Sequence, residues 1–160
     1  MFLHLLRHAH AGDPERWDGP DAGRPLSPKG RAQAEALGAY LAAIGFTTDA
    51  LITSPKVRAR ETAEIVAEQL GLTIAIDDRL GGGPDLRMIE AILDDAGHPA
   101  APVLVGHDPD LSDLVAELCG PGSAPMRKGA LARIETGQPV RPGSGTLRWL
   151  LPPDAIRPGR

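Results

Sequence analysis

Apolar positions along the chain come in short blocks that alternate between two repeats. Residues 2–6, 50–53, 72–76 and 102–106 are compact runs of large apolar residues, the pattern of strands covered on both faces. Between them the spacing changes to three and four. Leu37, Tyr40, Leu41 and Ile44 mark a helix over 28–44, opened by Ser27-Pro28 as cap and first helical residue and closed by Gly45. Ser54-Pro55 repeats that device and opens a helix to about residue 70, with Thr62, Val66 and Leu70 on its inner face. Leu86, Ile89, Ile92 and Leu93 predict a helix over 85–96, and another covers 109–118. Residues 130–135 and 146–151 read as an antiparallel hairpin across a Gly/Pro-rich turn. Alternation of this kind predicts a three-layer α/β/α sandwich, with a mostly parallel central sheet and an antiparallel C-terminal hairpin.

At 160 residues the chain reads as a single domain, 1–160, able to bury roughly 70% of its unfolded surface. Its 42% hydrophobic and 24% charged residues suit a soluble globular protein. A net charge of -4 argues against a general nucleic-acid binder or a partner of anionic membranes. Any anion site must therefore be a local gathering of cations. Cys119 is the only cysteine, which excludes an intrachain disulfide and suits a reducing cytosol, so a cytoplasmic location is expected. No apolar run approaches the length of a membrane span or a signal peptide's core.

Candidate chemistry collects at strand ends. Ligands of open α/β sheets bind beyond the carboxyl ends of the strands. There the first strand delivers Arg7 and His8, and the fourth delivers His107. The helix after the second strand carries Arg58 in its first turn, where free N–H groups favour an anion. Arginine forks match phosphoryl oxygens bidentately, and a neutral histidine beside them is a nucleophile. Other readings compete. His4, His8 and His10 share strand parity, which would also suit zinc, although His4 lies deep in the apolar run and His10 in the loop. Lys56, Arg58 and Arg60 lack the interleaved aromatics of a nucleic-acid patch. Arg60 and Glu61 are expected on a solvated face, His98 in a structural turn, and Cys119 as a small apolar residue.

Leu6-Arg7-His8, Ser54-Pro55-x-x-Arg58-Ala59-x-Glu61-Thr62-Ala63 and Val105-Gly106-His107 resemble the three site motifs of the histidine phosphatase superfamily. Arg24-Pro25-Leu26-Ser27-x-x-Gly30 and Leu114 through Cys119 are similar to the short SixA-type phosphohistidine phosphatases. The resemblance implies a phosphoglycerate mutase-like fold and a metal-independent, cofactor-free phosphatase working through a phosphohistidine intermediate on His8. Arg7, Arg58, His107 and Ala9 would bind the phosphoryl group, as they would bind phosphate, sulfate or vanadate. A phosphorylated histidine-containing protein is the expected partner; a small-molecule phosphomonoester, or a phosphate-binding module without turnover, is the alternative.

Two departures matter. Ala9 stands where the superfamily has glycine, adding a methyl beside the expected phosphate loop, and the chain is too short for the insertion that carries a glutamate acid in larger members. Asp21 is therefore the first candidate for a proton donor, with Asp13, Glu15 and Asp18 behind it as solvated loop charges.

Overall fold

A computed structural model describes residues 1–120, 122 and 125–156; the last four residues of the expected domain lie outside it. Six strands form one sheet: β1 (Phe2–Arg7), β2 (Ala50–Thr53), β3 (Ala75–Ile76), β4 (Pro102–Gly106), β5 (Leu131–Glu135) and β6 (Thr146–Leu151). Their spatial order is β3-β2-β4-β1-β5-β6. The first four named in that order are mutually parallel, whereas β5 runs antiparallel to β1 and β6 to β5. The mostly parallel sheet and the C-terminal hairpin are as the pattern predicts.

Helices α1 (Pro28–Ala43) and α2 (Val57–Leu70) cover one face, and α3 (Leu86–Asp95) and α4 (Asp110–Cys119) the other. The strand period of two divides the side chains between them. Leu3, Leu5, Ile52 and Leu104 join Ile89, Ile92, Leu93, Leu114 and Leu118 in one core. Leu6, Leu51, Val103 and Val105 join Leu37, Leu41, Ala63 and Val66 in the other. Both faces of the sheet are thus dry along β1, β2 and β4, which is why those strands read as continuous apolar runs and not as alternating ones.

Four expectations need correction. Tyr40 and Ile44 are 40% and 54% exposed, because α1 buries a narrower stripe based on Ala34, Leu37 and Leu41. β3 is two residues long instead of five, pairing only Ile52 with Ala75 and Thr53 with Ile76 at the sheet edge. Ser54-Pro55 does not cap α2: that helix starts at Val57, with Lys56 as an N-cap that makes no side-chain bond. Glu61 is no part of a solvated face, since its Oε2 accepts the Leu26 amide at 2.9 Å. Ser27, by contrast, caps α1 as expected, its Oγ accepting the Gly30 amide at 3.1 Å. His98 takes a left-handed turn, with φ of 57°, at the end of α3.

Candidate active site

Parallel pairing puts the carboxyl ends of β2, β4 and β1 side by side, Thr53 opposite Val105 and Gly106 opposite Arg7. The next residue of each strand is therefore Ser54, His107 or His8. His8 is held by its amide on the Gly106 carbonyl at 3.0 Å, and Ser54 by its amide on the Val105 carbonyl at 3.0 Å. The rings of His8 and His107 lie 5.2 Å apart between centroids. Arg58, in the first turn of α2 and buried, reaches the same edge.

Each imidazole has a fixed tautomer. His8 Nδ1 lies 2.7 Å from the Ala9 carbonyl, which can only accept, so Nδ1 carries the proton and Nε2 the lone pair. His107 Nε2 lies 2.7 Å from Ser54 Oγ. Ser54 is fully buried and its Oγ already accepts the Lys56 amide at 3.2 Å. Its hydroxyl proton therefore points at His107 Nε2, which leaves an N–H on Nδ1. Both rings are neutral. Burial, opposed by the Ala9 carbonyl and reinforced by His107, Arg58 and Arg7, pushes His8 down to about 3. Burial, then Lys56 and Arg58, pushes His107 down to about 3 as well. So His107 enters as a neutral donor.

The arginines are anchored from behind. Arg7 Nη1 donates to the Met126 carbonyl at 2.6 Å and sits 3.7 Å from Asp108, which Ser112 in turn holds at 2.7 Å. Arg58 gives Nη1 to the Asp21 carbonyl at 2.8 Å and Nη2 to Asp21 Oδ2 at 2.9 Å. Arg7 Nε, Arg58 Nε and His107 Nδ1 are buried with no partner among the described residues. Buried donors are costly to leave unpaired. Three together at one sheet edge make a preformed seat for an oxyanion.

This seat belongs to a recognisable lineage: the sequence model of the histidine phosphatase superfamily (branch 1) matches residues 3–81, which carry Arg7, His8 and Arg58. The chain belongs to the histidine phosphatase superfamily. A solved structure of the protein histidine phosphatase SixA complexed with tungstate superposes with a TM-score of 0.84 at 25% identity, covering 98% of this chain and 100% of that one. Phosphohistidine phosphatase SixA of Escherichia coli K12 is 27% identical over 159 residues, 96% of this chain and 94% of that protein. An 8-oxo-(d)GTP phosphatase of Mycolicibacterium smegmatis is 34% identical over 119 residues, 72% of this chain; the chain spans only 36% of that protein's length.

In this histidine phosphatase fold Asp21 sits at the rim, 57% exposed. Desolvation would raise its carboxyl, but the hydrogen bonds and charges of Arg58 and Arg24 outweigh it and hold the group below the usual carboxylate range. Arg24 completes that arrangement, bonding Asp21 Oδ1 at 3.3 Å and the Ala11 carbonyl at 2.8 Å. Asp13 accepts the Glu15 amide at an exposed turn, and Glu15 and Asp18 are exposed as well. The Ala9 methyl points into a small cluster with Leu26, Ala34 and Ile65, while its amide donates to Thr62 Oγ1 at 3.1 Å. The extra methyl is absorbed by packing and the amide is already used. His4 bonds the Pro102 carbonyl and His10 bonds Ser27, so the three imidazoles of equal parity serve three different partners.

The sequence marks Ser54 as a helix cap, Thr62 as an inner-face position and Arg24 as part of a motif, and points to none of the bonds they make here. Gly30 had a signal of its own: a Cβ there would run into the His10 carbonyl, so glycine lets α1 approach the loop that follows His8.

Proposed function

We propose that this protein is a metal-independent phosphatase in which His8 is the nucleophile and protein phosphohistidine the substrate. The phosphoryl group sits on Arg7 Nε, Arg58 Nε and the His107 Nδ1–H, three donors with no partner among the described residues. Nε2 of His8 attacks phosphorus; the N–P bond forms as the bond to the leaving atom breaks, and its electron pair leaves with that atom. Water then attacks the phosphohistidine, returning His8 and inorganic phosphate. Negative charge gathering on the phosphoryl oxygens meets donors that need no reorganisation, which is how such a site accelerates the step.

The observation that carries the substrate reading is the state of Asp21. A carboxylate shared by two guanidiniums is ionised at neutral pH and has no proton to give. An alkoxide leaving group needs a proton, whereas an imidazole departs with modest help from solvent. The similarity to SixA over nearly the whole chain supports the same class.

The test is turnover of a phosphorylated histidine-containing domain beside a panel of alkyl phosphates. We expect kcat/KM on the phosphoprotein to exceed the alkyl phosphates by about 10²-fold or more, the usual worth of the missing acid. His8→Ala should abolish turnover and keep the fold. More than a few per cent residual activity in that variant would refute the covalent route, and an alkyl phosphate preferred over phosphohistidine would refute the substrate.

A further inference from the structure

Tyr40 and Ile44, left uncovered near the C-terminal end of α1, form one wall of a hollow of about 380 Å³. Phe46 continues that wall, and Arg133, Trp149 and Leu151 of β5 and β6 complete the lining. His4, Arg133 and Trp149 stand opposite one another on β1, β5 and β6, so their side chains share one face of the sheet. Aromatic residues are scarce in this chain, with two Trp, one Tyr and two Phe, yet Tyr40, Phe46 and Trp149 meet here. Another, Phe2, has the Arg133 guanidinium over its ring at 4.0 Å from the centroid. That stacking holds the head group without neutralising it. Arg133 is half-buried and has no carboxylate within ion-pairing distance among the described residues. Glu135, two positions on, is taken by Arg148. A cation without a counter-charge, set among aromatic walls, complements an anion that carries a flat apolar body.

We propose that this hollow binds a small molecule with a flat aromatic body and a single anionic group, a carboxylate or sulfonate held by Arg133. Its volume falls within the range of about 300–1,000 Å³ typical of ligand pockets, which are likewise apolar and aromatic with a few placed polar groups. One unpaired guanidinium balances one negative charge and can meet its oxygens bidentately, which favours a monoanion over a phosphate dianion. Tyr40, Phe46 and Trp149 supply the aromatic contacts, and Ile44 and Leu151 the aliphatic ones. A hollow of this size takes one small molecule, whereas a stable protein interface buries about 800 Å² on each partner. The site is separate from the phosphoryl seat, since none of Arg7, His8, Arg58 and His107 lines it. Gly30, packed on the His10 carbonyl, and Tyr40 are ten residues apart on α1, about 15 Å along its axis. The inference therefore stands whether or not the proposed substrate is right.

The experiment uses two probes: anilinonaphthalene sulfonate, an aromatic anion, and phenylnaphthylamine, the same rings without the charge. In Trp17→Phe the remaining tryptophan is Trp149, and its emission reports on the hollow. The sulfonate should bind once per chain, quench Trp149 and stay bound under saturating vanadate. Arg133→Gln should weaken the sulfonate about tenfold, the scale of a charge-assisted hydrogen bond, and leave phenylnaphthylamine within about twofold. Retained binding of the neutral probe shows that the variant is folded, and Arg133→Lys should recover most of the loss. Tyr40→Ala should weaken both probes about fivefold through lost aromatic contact. Turnover of p-nitrophenyl phosphate should stay within about twofold in every variant, as expected for well-separated sites. No quenching of Trp149, or displacement of the sulfonate by vanadate, would overturn the proposal. So would equal losses of both probes in Arg133→Gln, because the guanidinium would then not be reading charge. A wild-type dimer that Ile44→Glu breaks, with the sulfonate bound only afterwards, would assign the hollow to a second copy and overturn it too.

Discussion

Replacing Asp21 by asparagine separates two roles that a carboxylate at this rim could have. The change keeps shape and removes charge. An asparagine carbonyl can still accept from Arg58 Nη2, but its amide then faces Arg24, donor against donor. Charge-assisted hydrogen bonds are worth about 1.5–3 kcal/mol when dry. Here the carboxylate is 57% exposed, so solvent screening reduces the loss to about 1 kcal/mol. The main-chain bond from the Asp21 carbonyl to Arg58 Nη1 survives and limits the damage further. That corresponds to a drop of about fivefold in kcat/KM. Because the effect reaches chemistry through the placement of Arg58, it should be the same whatever group departs.

The assay is kcat/KM on phosphohistidine protein, an aryl phosphate and an alkyl phosphate, for wild type and Asp21→Asn. A plot of log rate against leaving-group pKa should shift down in parallel. If Asp21 donated a proton, the loss would instead be about 10²–10⁴-fold on the alkyl phosphate and almost nothing on the aryl one, and the slope would steepen. A steeper slope would refute the reading of Asp21 as a clamp, and with it the argument for an imidazole leaving group.

Other outcomes follow from the same geometry. Ser54→Ala removes the hydroxyl that sets the His107 tautomer and should weaken vanadate binding about tenfold, while Ser54→Thr restores it; unchanged vanadate affinity in Ser54→Ala would show that the tautomer is set elsewhere. His4, pushed down to about 4 by burial, and His8 and His107, both pushed down to about 3, are neutral when folded but take a proton near 6.5 when unfolded. Stability should therefore be full above about pH 6.5 and fall on acidification towards 4, by about 1 kcal/mol per pH unit for each histidine. Urea midpoints from pH 7.5 to 4.5 measure this, and His8→Asn should flatten the slope by about a third. EDTA should leave activity on phosphohistidine unchanged; loss on chelation that zinc restores would favour the reading of the imidazoles as metal ligands.

How much of this was legible in the chain depended on the range of the interactions involved. Layer order, the parallel core and the placement of Arg7, His8 and His107 follow from local pattern, because a strand buried on both faces must read as an apolar run and must end where polarity returns. Ser54 was legible only in part. A serine before proline has the local signature of a helix cap, and nothing nearby in sequence says that its hydroxyl is taken by His107, 53 residues on. Glu61 poses the same difficulty, since its partner is the amide of Leu26, 35 residues away. Tyr40 and Ile44 fit a helical repeat, yet the buried stripe of α1 runs through Ala34, Leu37 and Leu41 and leaves them exposed.

Asp21 makes the general point most sharply, because sequence position and chemical state disagree there. An acidic residue in the loop beside a phosphoryl site invites the role of proton donor, and length and spacing offer nothing against it. What decides its state is the pair of guanidiniums that meet it, one from α2 and one three residues along the same loop. Those same bonds orient Arg58 so that its Nη atoms face the protein and its Nε remains for the phosphoryl group. Clamping the arginine and donating a proton are thus incompatible for one carboxylate. A chain that uses its nearest acid to hold an arginine must find substrates whose leaving groups need no proton. A phosphoramidate such as phosphohistidine meets that condition, so under the proposed function a salt bridge at the edge of the site bears on the choice of substrate.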